Sequence, residues 1–436
     1  MTVRRALIIF LGALLVSVLA AATMIGFAAL TKSLVWSVIG AVLIGILASW
    51  LVGILIWRRV HALRRAEPSD GAEARPLRRL VIGPLVVLAC AVLLSLTWLY
   101  PGLGSVRPDP VPGVEWLDLP DGSRLALHVT RASAASRPPI IFVHGGPGVA
   151  DMAHDAPALS ALATDRDVYV YDRIGTGAAT RLADPMGYTT AREVEDLEAV
   201  RARTGAPQVV LIGHSWGARF VAAYAQEHPD RVAALVLTAP GDLPLEGAEV
   251  PPGDLTTRLD TSELVKEYLR LLGPRNLFGY ALTMADARVA HSIAGDREMD
   301  RRFAAIYRDS TPALFCDKGL TDRVGTAGVG YYAHYVPQLH PNPADVPLNL
   351  DSLVMIKVPV LVIKPACDYV AWSAVLSYSH AFPQAQLIMI PNAGHVAYIE
   401  QPALYTNLVH AFLTGKKLPL PTIDWTRIPD GYRGTR

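Results

Sequence analysis

Val209-Val-Leu-Ile-Gly-His-Ser-Trp-Gly-Ala-Arg-Phe220 decides how this chain is read. The apolar run reads as a buried strand, Gly213-His-Ser-Trp-Gly217 as a tight turn, and residues 218–228 as a helix. This is the G-x-S-x-G elbow, which sets a serine on a strained strand-to-helix turn. Gly213 and Gly217 lack a Cβ, so backbone can crowd the turn and the helix can close on its strand. Ser215 is then expected at the tip of a sheet, near the positive end of a helix. A chance G-x-S-x-G in a Gly- and Ala-rich chain is the competing reading, and the flanking strand and helix oppose it.

Strand–helix alternation surrounds the elbow. Upstream, residues 114–119 and 124–130 alternate about Asp121-Gly122 as a hairpin. Residues 139–143 form a short apolar strand that runs into His144-Gly-Gly-Pro-Gly148. A helix over 156–163 leads to a strand at 167–171, which ends at Asp172-Arg-Ile-Gly-Thr-Gly177. A helix follows over 190–203, with Glu193, Glu195 and Glu198 expected on a solvated surface. After the elbow, 232–237 reads as a strand, and the pattern then stops. Residues 241–350 hold helical stretches (262–272, 298–307) broken by Pro and Gly. Alternation resumes with a strand at 360–363, a helix at 372–381, a strand at 386–390 and a helix at 402–413. The pattern predicts an α/β fold, a mostly parallel sheet with flanking helices. The insertion reads as a helical cap over the sheet's carboxyl edge, where ligands bind in such folds. The expected core is therefore 113–240 plus 351–415, with the cap at 241–350 and a polar tail of unassigned use at 416–436.

Hydrophobic residues make up 51% of the 436, and the excess lies in the first hundred. Runs at about 6–30, 34–57 and 80–99 each reach the roughly 18–20 residues that cross a bilayer as a helix. Trp36, Trp50, Trp57, Trp98 and Tyr100 mostly fall near run ends, where interfacial aromatics belong. A cleaved signal peptide with Arg4-Arg5 and Ala20-Ala21-Ala22 is the alternative for the first run, but its apolar stretch is too long. Arg58, Arg59, Arg64, Arg65, Arg75, Arg78 and Arg79 crowd the loop after the second run, which places that loop in the cytoplasm. Three transmembrane helices over 1–100 and a Pro/Gly linker at 101–112 then carry the remainder to the outer face of the cell membrane.

A net charge of +1 and the lack of a basic aromatic stripe argue against nucleic acid. Cys90, Cys316 and Cys367 show no zinc spacing, so no metal is expected. Cys316 and Cys367 would both face the oxidising side, where a disulfide is conceivable, but two unpaired buried cysteines are expected.

Ser215 needs a base, and the base needs an orienting acid. His395, in Pro391-Asn-Ala-Gly-His395 after the last strand, is the candidate base. Asp368, at the end of Val360-Leu-Val-Ile-Lys-Pro-Ala-Cys-Asp, is the candidate acid, better placed than Asp351 or Glu400. A helix N-cap is the plainer role for Asp368. The amide of Trp216 and one from the loop after residue 143, Gly146 ahead of Gly145, would form the oxyanion site.

In order, His144-Gly-Gly-Pro-Gly148, Asp172-x-x-Gly-x-Gly177, Gly213-His-Ser-Trp-Gly217, Asp368 and Gly394-His395 resemble the proline iminopeptidases of the α/β-hydrolase superfamily. The resemblance covers roughly 114–413. It implies an α/β-hydrolase with a helical cap that releases N-terminal residues, often proline, from peptides without a cofactor. It also implies Ser215 as nucleophile, Asp368 as acid, His395 as base, and cap acids that bind the substrate's amine. Glu246, Glu249, Glu263, Glu267 and Glu298 are the candidates for that last role, and none matches by position. Arg173-Ile174 and Ala178 depart from the family's usual Gln-Arg-Gly-x-Gly-x-Ser, and Lys364-Pro-Ala-Cys367 replaces a glycine-containing turn. The first reading is therefore a membrane-anchored aminopeptidase acting on short peptides. The second is a carboxylesterase or lipase with the same triad, acting on small esters, and the third an inactive binding protein. An acidic cap pocket would favour the first reading, and an apolar one the second.

Overall fold

The computed structural model describes residues 3–64, 76–98, 100–102, 104–106, 108, 111–243, 254–342 and 348–436. Arg65, Arg75, Leu99, Glu246, Glu249 and part of the linker lie outside the described residues. The chain divides into two compact units, residues 1–103 with 272–295, and residues 104–271 with 296–436. Part of the segment expected as cap therefore belongs with the N-terminal helices.

In the first unit, α1 (Val3–Thr31), α2 (Leu34–Arg64) and α3 (Pro76–Trp98) are helical. Two of them are long and apolar enough to cross a membrane: Leu7–Thr31 and Leu34–Ile56, each with a mean hydropathy of 2.6. The third expected span forms a helix, but its described apolar part, Pro84–Leu96, is shorter than a span requires. Small residues let these helices approach closely. A Cβ at Gly53 would meet the backbone of Pro84 at 2.6 Å, and one at Gly12 would meet Val52 at 2.8 Å. Ser17 Oγ donates to the Ala91 carbonyl at 2.9 Å, so a buried hydroxyl spends its donor across the helix pair.

The second unit is built on one sheet of eight described strands. They are β1 (Glu115–Asp118), β2 (Arg124–Thr130), β3 (Ile140–Val143), β4 (Val168–Asp172), β5 (Val209–His214), β6 (Val232–Thr238), β7 (Val360–Pro365) and β8 (Gln386–Ile390). Their spatial order is β1-β2-β4-β3-β5-β6-β7-β8. The β1–β2 and β2–β4 pairs are antiparallel and all others parallel. β3, β4, β5 and β7 are buried at every position, as continuous Val/Ile/Leu runs demand when helices cover both faces. Ile140, Phe142, Val210, Ile212, Val236, Leu361, Ile363 and Ile388 form the centre of the core.

Register lines up the carboxyl ends, with Val143 opposite Gly213, His214 opposite Thr238, Thr238 opposite Ile363, and Pro365 opposite Ile390. Loops leaving those ends therefore converge on one edge. Two local expectations change. The helix expected at 156–163 starts earlier, at Met152, and gives way to a 3-10 turn at Ser160–Leu162. Glu193, expected in solvent, lies on the buried face of Thr190–Thr204, where Arg173 supplies a partner at 3.1 Å.

Candidate active site

Ser215 has φ +54, the left-handed region a β-carbon disfavours. Its amide donates to the Thr238 carbonyl at 2.9 Å, which holds the turn on the neighbouring strand's end. The flanking glycines explain themselves sterically. A Cβ at Gly217 would run into the Val143 carbonyl, and one at Gly213 would meet the Ala218 backbone at 2.7 Å. Helix Gly217–Glu227 starts directly behind the serine. Trp216 is its N-cap, and Gly145 and Gly146 line the same cavity as Ser215.

His395 Nδ1 lies 2.8 Å from Asp368 Oδ1. The second carboxylate oxygen accepts from Lys364 Nζ at 2.9 Å, and Val370 N donates to Oδ1 at 3.1 Å. Lys364 and Asp368 side chains are both fully shielded from solvent. Burial alone would raise the Asp368 pKa, but Lys364 and then His395 hold it well below the usual carboxylate range. Lys364 spends its other donors on the Val370 and Ala371 carbonyls at 2.6 and 3.4 Å. His214, beside the serine, donates from Nε2 to the His395 carbonyl at 3.0 Å, and burial pushes its pKa down to about 3. It is a neutral spacer for the base loop. Of the competing acids, Asp351 sits in helix Leu350–Val354. Glu400 accepts from the amides of Cys316, Asp317 and Gly394, and so joins the cap segment at 316–317 to the base loop.

Cys316 and Cys367 are joined in a disulfide, contrary to the expectation of two free thiols. The Glu400 carboxylate gathers the Cys316 amide, and the Ala393 carbonyl takes the Cys367 amide, so their Cα atoms come within 5.3 Å. Sequence reasoning also missed Arg173, Tyr369 and the tail. Arg173 Nη2 donates to the Gly145 carbonyl at 3.2 Å and its backbone N–H to His144 Nε2 at 3.2 Å, bracing the glycine loop. Tyr369 Oη stands 3.4 Å from His395 Nε2, and the tyrosine lines the same cavity as Ser215. The tail's Arg433 and Thr435 amides donate to the Ala366 and Asp368 carbonyls at 2.7 and 3.0 Å. For Lys364, the buried cation beside Asp368, the available signal was a lone lysine in an apolar strand, since buried lysines require partners.

A cavity of about 260 Å³ opens over Ser215. Its floor is His144, Gly145, Gly146, His214, Ser215 and His395, and Glu267, Phe303 and Tyr307 come from cap helices. Asp151 and Asp155 lie on one wall; burial raises the Asp155 pKa well above normal, and Tyr398 donates to it at 2.8 Å. Burial also raises the Glu267 pKa, against the lowering effect of Ser310, and the Glu267 Oε2 has no hydrogen-bond partner among the described residues. Glu263 instead pairs with Lys318 and Glu298 with Arg302. Among the described residues no group of three or more His, Cys, Asp or Glu could hold a metal ion.

Residues 138–402 match the family described as alpha/beta hydrolase fold. A proline iminopeptidase of Heyndrickxia coagulans is 36% identical over 23% of this chain and 35% of its own length. One from Levilactobacillus brevis is 24% identical over 61% of this chain and 85% of its own. A (lyso)-N-acylphosphatidylethanolamine lipase of Bos taurus is 30% identical over 31% and 39% respectively. The chain thus spans about a third of the first relative and most of the second.

Proposed function

The chain belongs to the α/β-hydrolase family, and on that premise we propose that it is a membrane-tethered serine hydrolase working as an aminopeptidase on short peptides. Ser215 Oγ attacks the scissile carbonyl while His395 takes its proton, and Asp368 orients the imidazole and stabilises the imidazolium. The amides of Trp216 and Gly146, with Gly145 beside them, receive the oxyanion. His395 then returns the proton to the leaving amine, and a water activated by the same imidazole frees the acyl group from Ser215.

The observation that carries the peptide reading is the acid lining above the serine. Asp151, Asp155 and Glu267 line the cavity, and no Lys or Arg is among its described lining residues. Glu267 Oε2 offers an unpaired acceptor to a substrate ammonium. The two relatives named proline iminopeptidase support the same choice. The ester or lipid reading is favoured by a different observation, the apolar share of the wall: Leu255, Leu271, Ile306, Leu314 and Val324.

The apolar helices Leu7–Thr31 and Leu34–Ile56 support a tether. The Cys316–Cys367 bond supports an oxidising, outward-facing site for the hydrolase unit. The test sets wild type and Ser215→Ala against prolyl- and other aminoacyl-arylamides beside short-chain nitrophenyl esters. Serine-dependent arylamide turnover is expected. Ester cleavage without it would move the assignment to an esterase, and no serine-dependent turnover on either panel would sink the hydrolase reading.

A further inference from the structure

Helix Pro274–Ala285, in the unit of the N-terminal helices, is apolar on both faces. Its inner face buries Phe278, Gly279, Leu282 and Thr283. Its one charged side chain, Arg275, is buried and donates to the Ile293 carbonyl at 3.3 Å. The outward face presents Leu277, Tyr280 and Met284, which are 46%, 37% and 54% exposed and spaced to share one stripe. A helix that is hydrophobic all round belongs inside a core or inside lipid. Leu277 and Met284 keep about half of their surface open among the described residues.

Two contacts within the unit show where the helix lies. Lys32, in the turn between α1 and α2, donates from Nζ to the Ala285 carbonyl at 2.8 Å, at the helix's end, and stands 3.9 Å from Asp286. A turn between two bilayer-length helices belongs at the membrane surface, so the end of Pro274–Ala285 is fixed there. Seven residues earlier, about 10 Å along the axis, Phe278 shares an apolar groove with Met24, Ala41, Leu96 and Tyr100. The helix therefore runs from the Lys32 turn inward along the span.

We propose that Pro274–Ala285 is embedded in the leaflet that holds the Lys32 turn, with lipid acyl chains covering Leu277 and Met284. The proposal rests on the membrane reading of α1 and α2. In the chain the helix begins three residues after Leu271, which lines the catalytic cavity, so a second stretch of the chain besides the N-terminal helices is held in lipid.

The test uses the full chain in liposomes, with Cys90→Ala as background and a small fluorophore on Leu277→Cys or Met284→Cys. Leu47→Cys on α2 is the standard for lipid exposure, and Lys416→Cys is the aqueous control. Lipids brominated on the acyl chain should quench Leu277→Cys and Met284→Cys as strongly as Leu47→Cys, while aqueous iodide quenches only Lys416→Cys. Quenching of Leu277→Cys and Met284→Cys by iodide and not by bromolipid overturns the proposal. Shielding from both quenchers overturns it too, because protein, such as a second copy, would then cover the stripe. An unquenched Leu47→Cys overturns the membrane reading itself, which separates the two failures.

Discussion

Lys364→Met tests how the candidate acid is held. The ammonium lies 2.9 Å from Asp368 Oδ2, with neither side chain reaching solvent. Methionine fills similar volume but leaves a buried carboxylate with His395 and the Val370 amide as its remaining partners. Removing one member of a buried pair costs about 3–5 kcal/mol. At about 2–4 °C per kcal/mol for a large domain, the melting midpoint should fall by on the order of 10 °C. The pH dependence gives the sharper check. Asp368's pKa is depressed by Lys364 and His395 against the opposing effect of burial, so the stability it confers is present above the unfolded value, about 3.9, and is lost as pH falls through the folded one. The variant's deficit should be widest near neutrality and should narrow below about pH 4. Lys364→Met/Asp368→Asn should recover part of the loss, because both buried charges are then gone. Calorimetry in detergent without reductant reads all three. A midpoint unchanged at neutral pH, or a deficit that grows on acidification, would refute the reasoning.

Ser215→Gly removes the β-carbon penalty at φ +54, so it should melt higher by about 1–2 kcal/mol equivalent while losing turnover, and Ser215→Ala should show no such gain. Glu267→Gln should raise KM for aminoacyl-arylamides roughly 10- to 100-fold, the worth of one charge-assisted hydrogen bond, and leave nitrophenyl ester kinetics alone; equal effects on both substrates would remove Glu267 from amine binding. Cys316→Ser/Cys367→Ser opens a 51-residue separation and should cost about 4 kcal/mol by chain entropy, seen as a lower midpoint that reductant no longer changes.

What could be read in advance was what one strand and its following loop encode. Val209–His214 with Gly213 and Gly217, or Ile140–Val143 with its glycines, announce a buried strand and a crowded turn within a dozen residues. Chain order then led to Ser215, Asp368 and His395; the aligned strand ends bring Ser215 and His395 to one cavity, and Asp368 to 2.8 Å from His395. What escaped was whatever depends on distant partners. Periodicity marks a cap helix but not which glutamate faces the cavity, so Glu267 was one of five. Glu193 looked solvated because its cation, Arg173, sits on another strand's loop. The Cys316–Cys367 bond depends on Glu400, which reads only as an acid in the final helical stretch. Pro274–Ala285 joins the N-terminal unit through Lys32, more than two hundred residues away.

The Glu400 junction has a mechanical consequence. One carboxylate takes the amides of Cys316, Asp317 and Gly394, and beside it a covalent bond fastens the cap at Cys316 to the turn that carries Asp368. That point is riveted like the jamb of a door. Swinging it outward would drag the base and acid loops out of register, so admission of substrate falls to helix Thr261–Leu271, which side-chain pairs hold, Glu263 to Lys318 and Arg270 to Asp309. Amide hydrogen exchange would locate the hinge: slow exchange at residues 316–317 beside faster exchange over 261–271 is expected, and the reverse ranking would place it at the rivet itself.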